Sequence, residues 1–336
     1  METGMLGLLG KTVALMENLG FLWLVYSGFE LRLWEQLQEE KTIGTLLADH
    51  PEWDPVLLEH WLTQAIVQNL VIHDQDTYYL SKSGKSILRF QKQGLEAMYK
   101  EFVLYWGPCF RQLPGLITGQ SERLNLENDM KDELVSRASL SSEIFVWPVL
   151  RARCAKQNWQ RVLDVGCGEG VYLKKLLTVF PKLTGTGLEI NPSTCARAKQ
   201  GLEKFQERLQ IECNDVFNFT DKEKFDCCLL NNSIYYFTGT KRLELLLHLK
   251  SLLKPGGQIG ILTALRGMTS SVPVLRTHVP QNLMSFFLAC HQGFNGLPTE
   301  REIVELLEKA GFEKIEVTPL LFKVSHYFFA GKPEEE

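Results

Sequence analysis

Val162-Leu163-Asp164-Val165-Gly166-Cys167-Gly168-Glu169-Gly170, together with Gly187-Leu188-Glu189-Ile190, decides how this chain is read. The first stretch reads as a short apolar strand ending in glycines, where the backbone turns tightly and approaches a ligand closely. The second reads as another strand ending in an acid, about 20 residues on, where a carboxylate accepts the hydroxyls of a ribose. The pair of motifs points to a nucleotide-like cofactor. A dinucleotide fingerprint wants its third Gly or Ala where this chain has Val171, with Gly170 one place earlier, so the spacing disfavours NAD.

The stretches that follow fall in a consistent order. Ile211-Glu212-Cys213-Asn214-Asp215-Val216-Phe217 reads as a strand ending in an acid, and Phe225 to Asn232 as the next strand. Lys241 to Leu253 carries leucines at helical spacing, and Leu252-Leu253-Lys254-Pro255-Gly256-Gly257-Gln258 ends that helix and launches the strand Ile259 to Thr263. Thr299 to Lys309 reads as a helix ended by Ala310-Gly311-Phe312, and Ile315 to Val317 and His326 to Ala330 read as a final pair of strands. This order resembles class I S-adenosylmethionine-dependent methyltransferases, whose first motif is an acid followed by alternate glycines and for which the run LLKPGG is a hallmark. The resemblance implies an α/β, Rossmann-like domain with a mostly parallel seven-stranded sheet. It implies S-adenosylmethionine as cofactor, S-adenosylhomocysteine as product, and no metal. On the matching positions it also implies a cofactor site of Asp164, Gly166, Gly168, Glu189, Ile190, Asn214, Asp215, Val216 and Asn231.

The length, 336 residues, suits two domains. The net charge of −4 gives no electrostatic argument for nucleic acid or an anionic membrane. The eight cysteines show no CxxC or Cys/His ligand spacing, and several fall in apolar strands, so they read as buried thiols of a reducing compartment. Phe21-Leu22-Trp23-Leu24-Val25-Tyr26 is the most apolar N-terminal run. It is too short to span a bilayer and has no basic flank with a cleavage site, so the expectation is a cytoplasmic protein without a membrane partner.

The first ninety residues have their own pattern. Leu31 to Leu37 ends a helix, Lys41 to Leu47 starts a short one, and Asp54 caps a third running to about Leu70. Val71-Ile72-His73 and Thr77 to Leu80 then read as a hairpin. The order resembles the winged-helix dimerisation domain ahead of the catalytic domain in many small-molecule O-methyltransferases. Between Pro51 and Leu70 there is no Lys or Arg, which argues against DNA recognition by the third helix. Val56, Leu57, Trp61, Leu62, Ala65, Ile66 and Leu70 suit burial against neighbouring helices and a second subunit. In the resembling enzymes the N-terminal helices of two subunits interlock, so the chain is expected to be a homodimer, with Met5, Leu6, Leu8, Leu9, Val13, Leu15, Met16 and the Phe21 to Tyr26 run as apolar supply. The domain reading is 1–90 for the dimerisation domain, 91–153 for a helical connector and 154–334 for the methyltransferase domain.

The connector is rich in aromatics: Tyr99, Phe102, Tyr105, Trp106, Phe110, Phe145 and Trp147. In similar enzymes this stretch roofs the substrate pocket, which gives Tyr105, Trp106, Phe145 and Trp147 as substrate residues, with Tyr236 of the stretch Asn231 to Phe237 added to them. Phenol O-methyltransferases of the resembling group place a His general base in the loop after the fourth strand. Here that position falls on Tyr235, an ordinary Tyr having a pKa of about 10 and being a poor base at neutrality. Tyr235 is therefore read as an orienting residue, with His278 or His291 as the alternative, a relocated base. The expected activity is methyl transfer to a small molecule of secondary metabolism. Alternatives are S-methylation of a thioether or thiol such as 4-methylthio-2-hydroxybutyrate, which a site without the usual base would suit, and an idle cofactor-binding regulator or dimer partner. The acceptor atom stays open.

Overall fold

The computed structural model describes residues 2–124, 143–237, 239–266, 278–292, 294, 296–320 and 325–334. Two compact units form, one of Met1–Pro108 and one of the described residues from Cys109 onward. The division falls inside the stretch 91–153, and 125–142 lie outside the described residues.

The first unit opens with a helix of 29 residues, Glu2–Glu30. Helices Leu33–Gln36, Ile43–Asp49 and Pro55–Val67 follow, then the antiparallel strands β1 (Val71–Asp74) and β2 (Thr77–Leu80) and a helix Lys82–Phe90. The helix Pro55–Val67 begins where its cap dictates: Asp54 Oδ1 accepts from Val56 N at 2.8 Å and Leu57 N at 3.0 Å. Its core face is Leu58, Leu62 and Ala65. Val56 and Leu57 are 59% and 69% exposed in the single chain, off that i, i+4, i+7 stripe, so neighbouring helices of the same chain do not bury them. Trp34 centres the core, its Nε1 donating to Val25 O at 3.2 Å. The indole lies against Gly28, where a Cβ would stand 2.4 Å from it, so the close approach requires glycine.

The apolar run Phe21 to Tyr26 is not a short isolated segment. It belongs to the long first helix, in which Gly7–Glu30 is apolar enough, by length and composition, to cross a membrane. Only 11% of its apolar window is buried within the chain. Met5, Leu8, Leu9, Val13, Leu15 and Met16 are all exposed.

Before Glu96–Glu101 the helical run kinks at Gln93 and Gly94, where Gly94 has φ of +92°, and after it the run widens into a single π-helical turn, Phe102–Trp106. Tyr105 and Trp106 sit in that turn, where Trp106 Nε1 donates to Glu101 Oε1 at 3.0 Å. Burial pushes the Glu101 carboxyl up to about 7, against the pull of that donor.

The second unit is built on one sheet of seven strands: β3 (Arg161–Val165), β4 (Thr184–Glu189), β5 (Leu209–Cys213), β6 (Phe225–Asn231), β7 (Leu253–Ala264), β8 (Glu313–Leu320) and β9 (Ser325–Gly331). Their order is β5-β4-β3-β6-β7-β9-β8, with only β9 antiparallel to its neighbours. The central strands are buried along almost their whole length, as apolar runs covered on both faces must be. Two apolar clusters form, one beneath helices Gly239–Leu252 and Glu300–Lys309, the other beneath Glu143–Gln157, Val171–Val179 and Pro192–Gly201. The Lys254 to Gly257 turn is a register shift in the β6–β7 pairing, not a loop before the strand. The strand order reverses between β3 and β6, and their carboxyl ends open the crevice where open α/β sheets bind ligands.

Candidate functional site

The glycine loop leaves β3 at that crevice. Gly166, Gly168 and Gly170 have φ of +68°, +55° and +72°, which side chains other than glycine adopt only at a cost. Both Gly166 N and Cys167 N donate to Leu188 O at 2.9 Å, folding the loop onto the end of β4. A Cβ at 166 would stand 2.8 Å from Ser233 Oγ, so the loop backbone passes directly over the turn after β6. The following helix, Val171–Val179, begins immediately after Gly170.

Glu189 ends β4 and is held from both sides. Its Oε2 accepts from Gly168 N at 3.0 Å and its Oε1 from Asn191 N at 2.9 Å. Each oxygen keeps acceptor capacity beyond these bonds, so the carboxylate is fixed in direction and still able to receive hydroxyls. Asn191 was not singled out from sequence, although its Asn-Pro signature marks a helix start. Its side chain accepts from Ser193 N and Thr194 N to cap Pro192–Gly201.

Asp164 is 1% exposed, and its carboxyl is pushed up to about 7 by burial, with the Glu189 charge adding to the effect. Asn231 Nδ2 donates to Asp164 Oδ1 at 3.4 Å and opposes that rise. Beyond β5, Asn214 N donates to Glu189 O at 3.2 Å. Asp215 Oδ1 accepts from Phe217 N at 2.9 Å, as the cap of the short turn Val216–Asn218. Val216 is buried, while Ile190 stands 63% exposed beside Glu189. Asp164, Gly166, Gly168, Glu189, Asn214 and Asn231 are thus tied together by backbone and side-chain hydrogen bonds at the carboxyl ends of β3, β4, β5 and β6.

The residues read as acting on an acceptor are more scattered. Tyr235 and Tyr236 share the short turn Ile234–Tyr236, with ring centroids 4.7 Å apart. Tyr235 is buried, and Tyr236 is the more open of the two. His291 is buried, with Nδ1 3.0 Å from Phe287 O and its ring edge-on to Phe287, the surroundings of a packed histidine. His278 opens the helix His278–Ala289, and its side chain lies outside the described residues. Phe145 and Trp147 are half-buried on Glu143–Gln157, with Lys175 Nζ 5.5 Å from the Trp147 ring. Tyr105 and Trp106 belong to the first unit.

The site residues fit a nucleoside cofactor: a glycine cradle that a Cβ would fill, an oriented carboxylate for a ribose, and a second acid beyond β5. Comparison with known proteins agrees. Residues 162–257 match the family described as Methyltransferase domain. Malonyl-acyl-carrier-protein O-methyltransferase 1 of Ilyobacter polytropus is 33% identical over 102 residues, which are 30% of this chain and 37% of that protein. The chain therefore spans less than half the length of the curated relatives it matches. Similarity of fold extends much further. An O-methyltransferase family protein from Burkholderia thailandensis has a TM-score of 0.76 at 16% identity, over 98% of this chain and 99% of that one. Human N-acetylserotonin methyltransferase, solved in complex with SAM, has a TM-score of 0.75 at 18% identity, over 97% of each chain.

Motif, sheet order and family match define the class: residues 162–257 are a methyltransferase domain. The whole chain has the fold of the class I O-methyltransferases, helical N-terminal region included.

Proposed function

We propose that the chain is an S-adenosylmethionine-dependent methyltransferase acting on a small molecule of specialised metabolism. The observation that carries this reading is the glycine cradle with Glu189 clamped beside it by two backbone N–H groups. The similar proteins support it: an O-methyltransferase by sequence, and by fold an O-methyltransferase family protein and a methyltransferase solved with SAM. In this reading Gly166 and Gly168 admit the cofactor to the backbone, Glu189 accepts its ribose hydroxyls, and Asp215 faces the adenine edge beside Val216 and Ile190. Asp164 places negative charge near the cofactor's cationic end.

S-adenosylmethionine supplies an electrophilic methyl group on a sulfonium. The chain's own task is to align an acceptor and exclude water. Tyr236 is the more exposed ring of the turn after β6, and Tyr235 packs against it. This pair orients the acceptor and does not remove a proton from it. Incubation with S-adenosylmethionine and a panel of phenols, amines, thiols and thioethers, read by release of S-adenosylhomocysteine, tests the activity and finds the acceptor atom. No release above a Glu189→Ala control with any class would count against it.

The exposed apolar face of Glu2–Glu30 supports a homodimer built through the first unit. The hairpin β1–β2 after four helices supports a winged-helix-like dimerisation domain, and the lack of Lys or Arg between Pro51 and Leu70 supports a reading without nucleic acid as partner.

A further inference from the structure

Tyr327 lies on β9, with β7 between it and β6, yet its hydroxyl donates a 2.9 Å hydrogen bond to Asn231 Oδ1 at the end of β6. The register explains the reach. Asn231 pairs with Leu262 on β7, and Leu262 pairs with Tyr327, so the three form one row across the sheet. Two residues earlier β7 carries Gly260, where a Cβ would come within 3.1 Å of Tyr327 Cε1 and 2.9 Å of Phe329 Cε1. The Tyr327 ring lies over this gap, stacked on Phe329 with centroids 4.4 Å apart and planes 4° apart. A side chain at 260 would lift both rings and withdraw the hydroxyl from Asn231.

Asn231 turns that contact into a relay. With Oδ1 taken by the phenol, its Nδ2 is the end that faces Asp164, donating at 3.4 Å. The reversed amide would set a carbonyl oxygen against the Asp164 carboxylate, acceptor against acceptor.

We propose that Tyr327 is a positioning residue for the cofactor site: through Asn231 it aims an N–H at Asp164, the buried carboxyl that meets a cationic cofactor. The proposal rests on the S-adenosylmethionine reading, since that molecule carries an ammonium and a sulfonium. Groups facing Asp164 from the packed elements are Glu189 on β4, Cys167 in the glycine loop, Cys227 and Asn231 on β6, and Tyr327 on β9. Burial pushes both thiols and the phenol up, so they stay neutral while Asp164 titrates. Loss of the Asn231 donor raises the carboxyl further, because that bond favours its ionised form.

Two readouts on the full chain test this. The first is the titration of the Asp164 carboxyl in the cofactor-free protein, followed by carbon NMR. The second is S-adenosylmethionine affinity by calorimetry from pH 6 to pH 8.5. In the wild type, affinity falls as pH drops through about 7. Tyr327→Phe and Asn231→Ala each move both midpoints up by about half a pH unit or more, which weakens binding at pH 7 about two- to threefold and less at pH 8.5. Asp164→Asn flattens the profile. A lower melting temperature with unmoved midpoints in both relay variants overturns the proposal and leaves Tyr327 a packing residue. If Tyr327→Phe does not fold, Asn231→Ala decides. A carboxyl titration that moves in a chain binding no S-adenosylmethionine upholds the relay and sinks the cofactor reading instead.

Discussion

Glu189 is where a substitution should separate a ribose-binding carboxylate from an ordinary surface acid. Both of its oxygens already accept backbone N–H groups, from Gly168 at 3.0 Å and Asn191 at 2.9 Å. Removing the side chain deletes the acceptors for two ribose hydroxyls and also the Gly168 tie between the loop and β4, leaving the loop held by the bonds of Gly166 N and Cys167 N to Leu188 O. Hydrogen bonds to a charged group contribute roughly 1.5–3 kcal/mol each, so Glu189→Ala should lose at least about 3 kcal/mol, or roughly 100-fold in affinity for S-adenosylmethionine. Glu189→Gln distinguishes this geometry further. Whichever oxygen the amide nitrogen replaces, it meets a backbone N–H head-on, donor against donor. The glutamine variant should therefore bind almost as poorly as the alanine one. Calorimetric titration gives the affinities, and thermal melting without cofactor checks that both variants remain folded. Binding by Glu189→Gln within about threefold of wild type would refute the clamped-carboxylate argument.

Gly166→Ala should weaken S-adenosylmethionine binding and lower the melting temperature, since φ of +68° costs an L-residue about 1–2 kcal/mol and the new Cβ would press on Ser233 Oγ at 2.8 Å; an unchanged melt and affinity would count against the loop conformation. Asp164 gives a pH signature in the cofactor-free chain. Its folded carboxyl is raised to about 7, so the folded state holds the proton longer than the unfolded state. Stability from this group is fully present below about pH 4 and is lost as pH rises through about 7, by roughly a few kcal/mol. Asp164→Asn should raise the melting temperature at pH 8 and weaken cofactor binding there, and a variant less stable at pH 8 would contradict the burial argument. Glu302 runs the other way. Its carboxyl is lowered, first by the Thr299 N–H in the capping box, so its contribution is present above about pH 4.5 and lost below; Glu302→Ala should narrow the acid-side melt difference. Light scattering at micromolar concentration should give twice the chain mass. Truncation of the first helix should abolish that, while a monomer, or a chain that sediments with lipid vesicles, would contradict the dimer reading.

The glycine loop, the acid ending β4 and the order of the later strands were legible because each is a local signal: turn glycines, apolar runs and a Pro-Gly-Gly stop. What lay between distant segments was not. Asn231 and Tyr327 are 96 residues apart and meet only because β9 enters the sheet antiparallel beside β7, over a glycine that no spacing rule marks. The backbone clamp on Glu189 was hidden for the same reason, although Asn191-Pro192 announced one half of it as a helix cap. The N-terminal helix was underestimated because Gly7, Gly10, Gly20 and Gly28 interrupt its apolar pattern, yet glycine weakens a helix by only about 1 kcal/mol. On the helix Pro55–Val67 the apolar residues divide between a core stripe at 58, 62 and 65 and the exposed 56 and 57, a division that periodicity alone does not mark. The kink before residue 96 falls on Gly94, a residue that admits positive φ, whereas the π-helical turn Phe102–Trp106 follows from no residue pattern in the chain.

The most direct test of the central claim is a crystal structure of the full chain grown with S-adenosylhomocysteine. The account predicts ribose hydroxyls on Glu189, the nucleoside against the backbone of Gly166 and Gly168, and the adenine edge at Asp215. An empty cradle at saturating ligand, or a nucleoside bound away from the ends of β3 and β4, would contradict it.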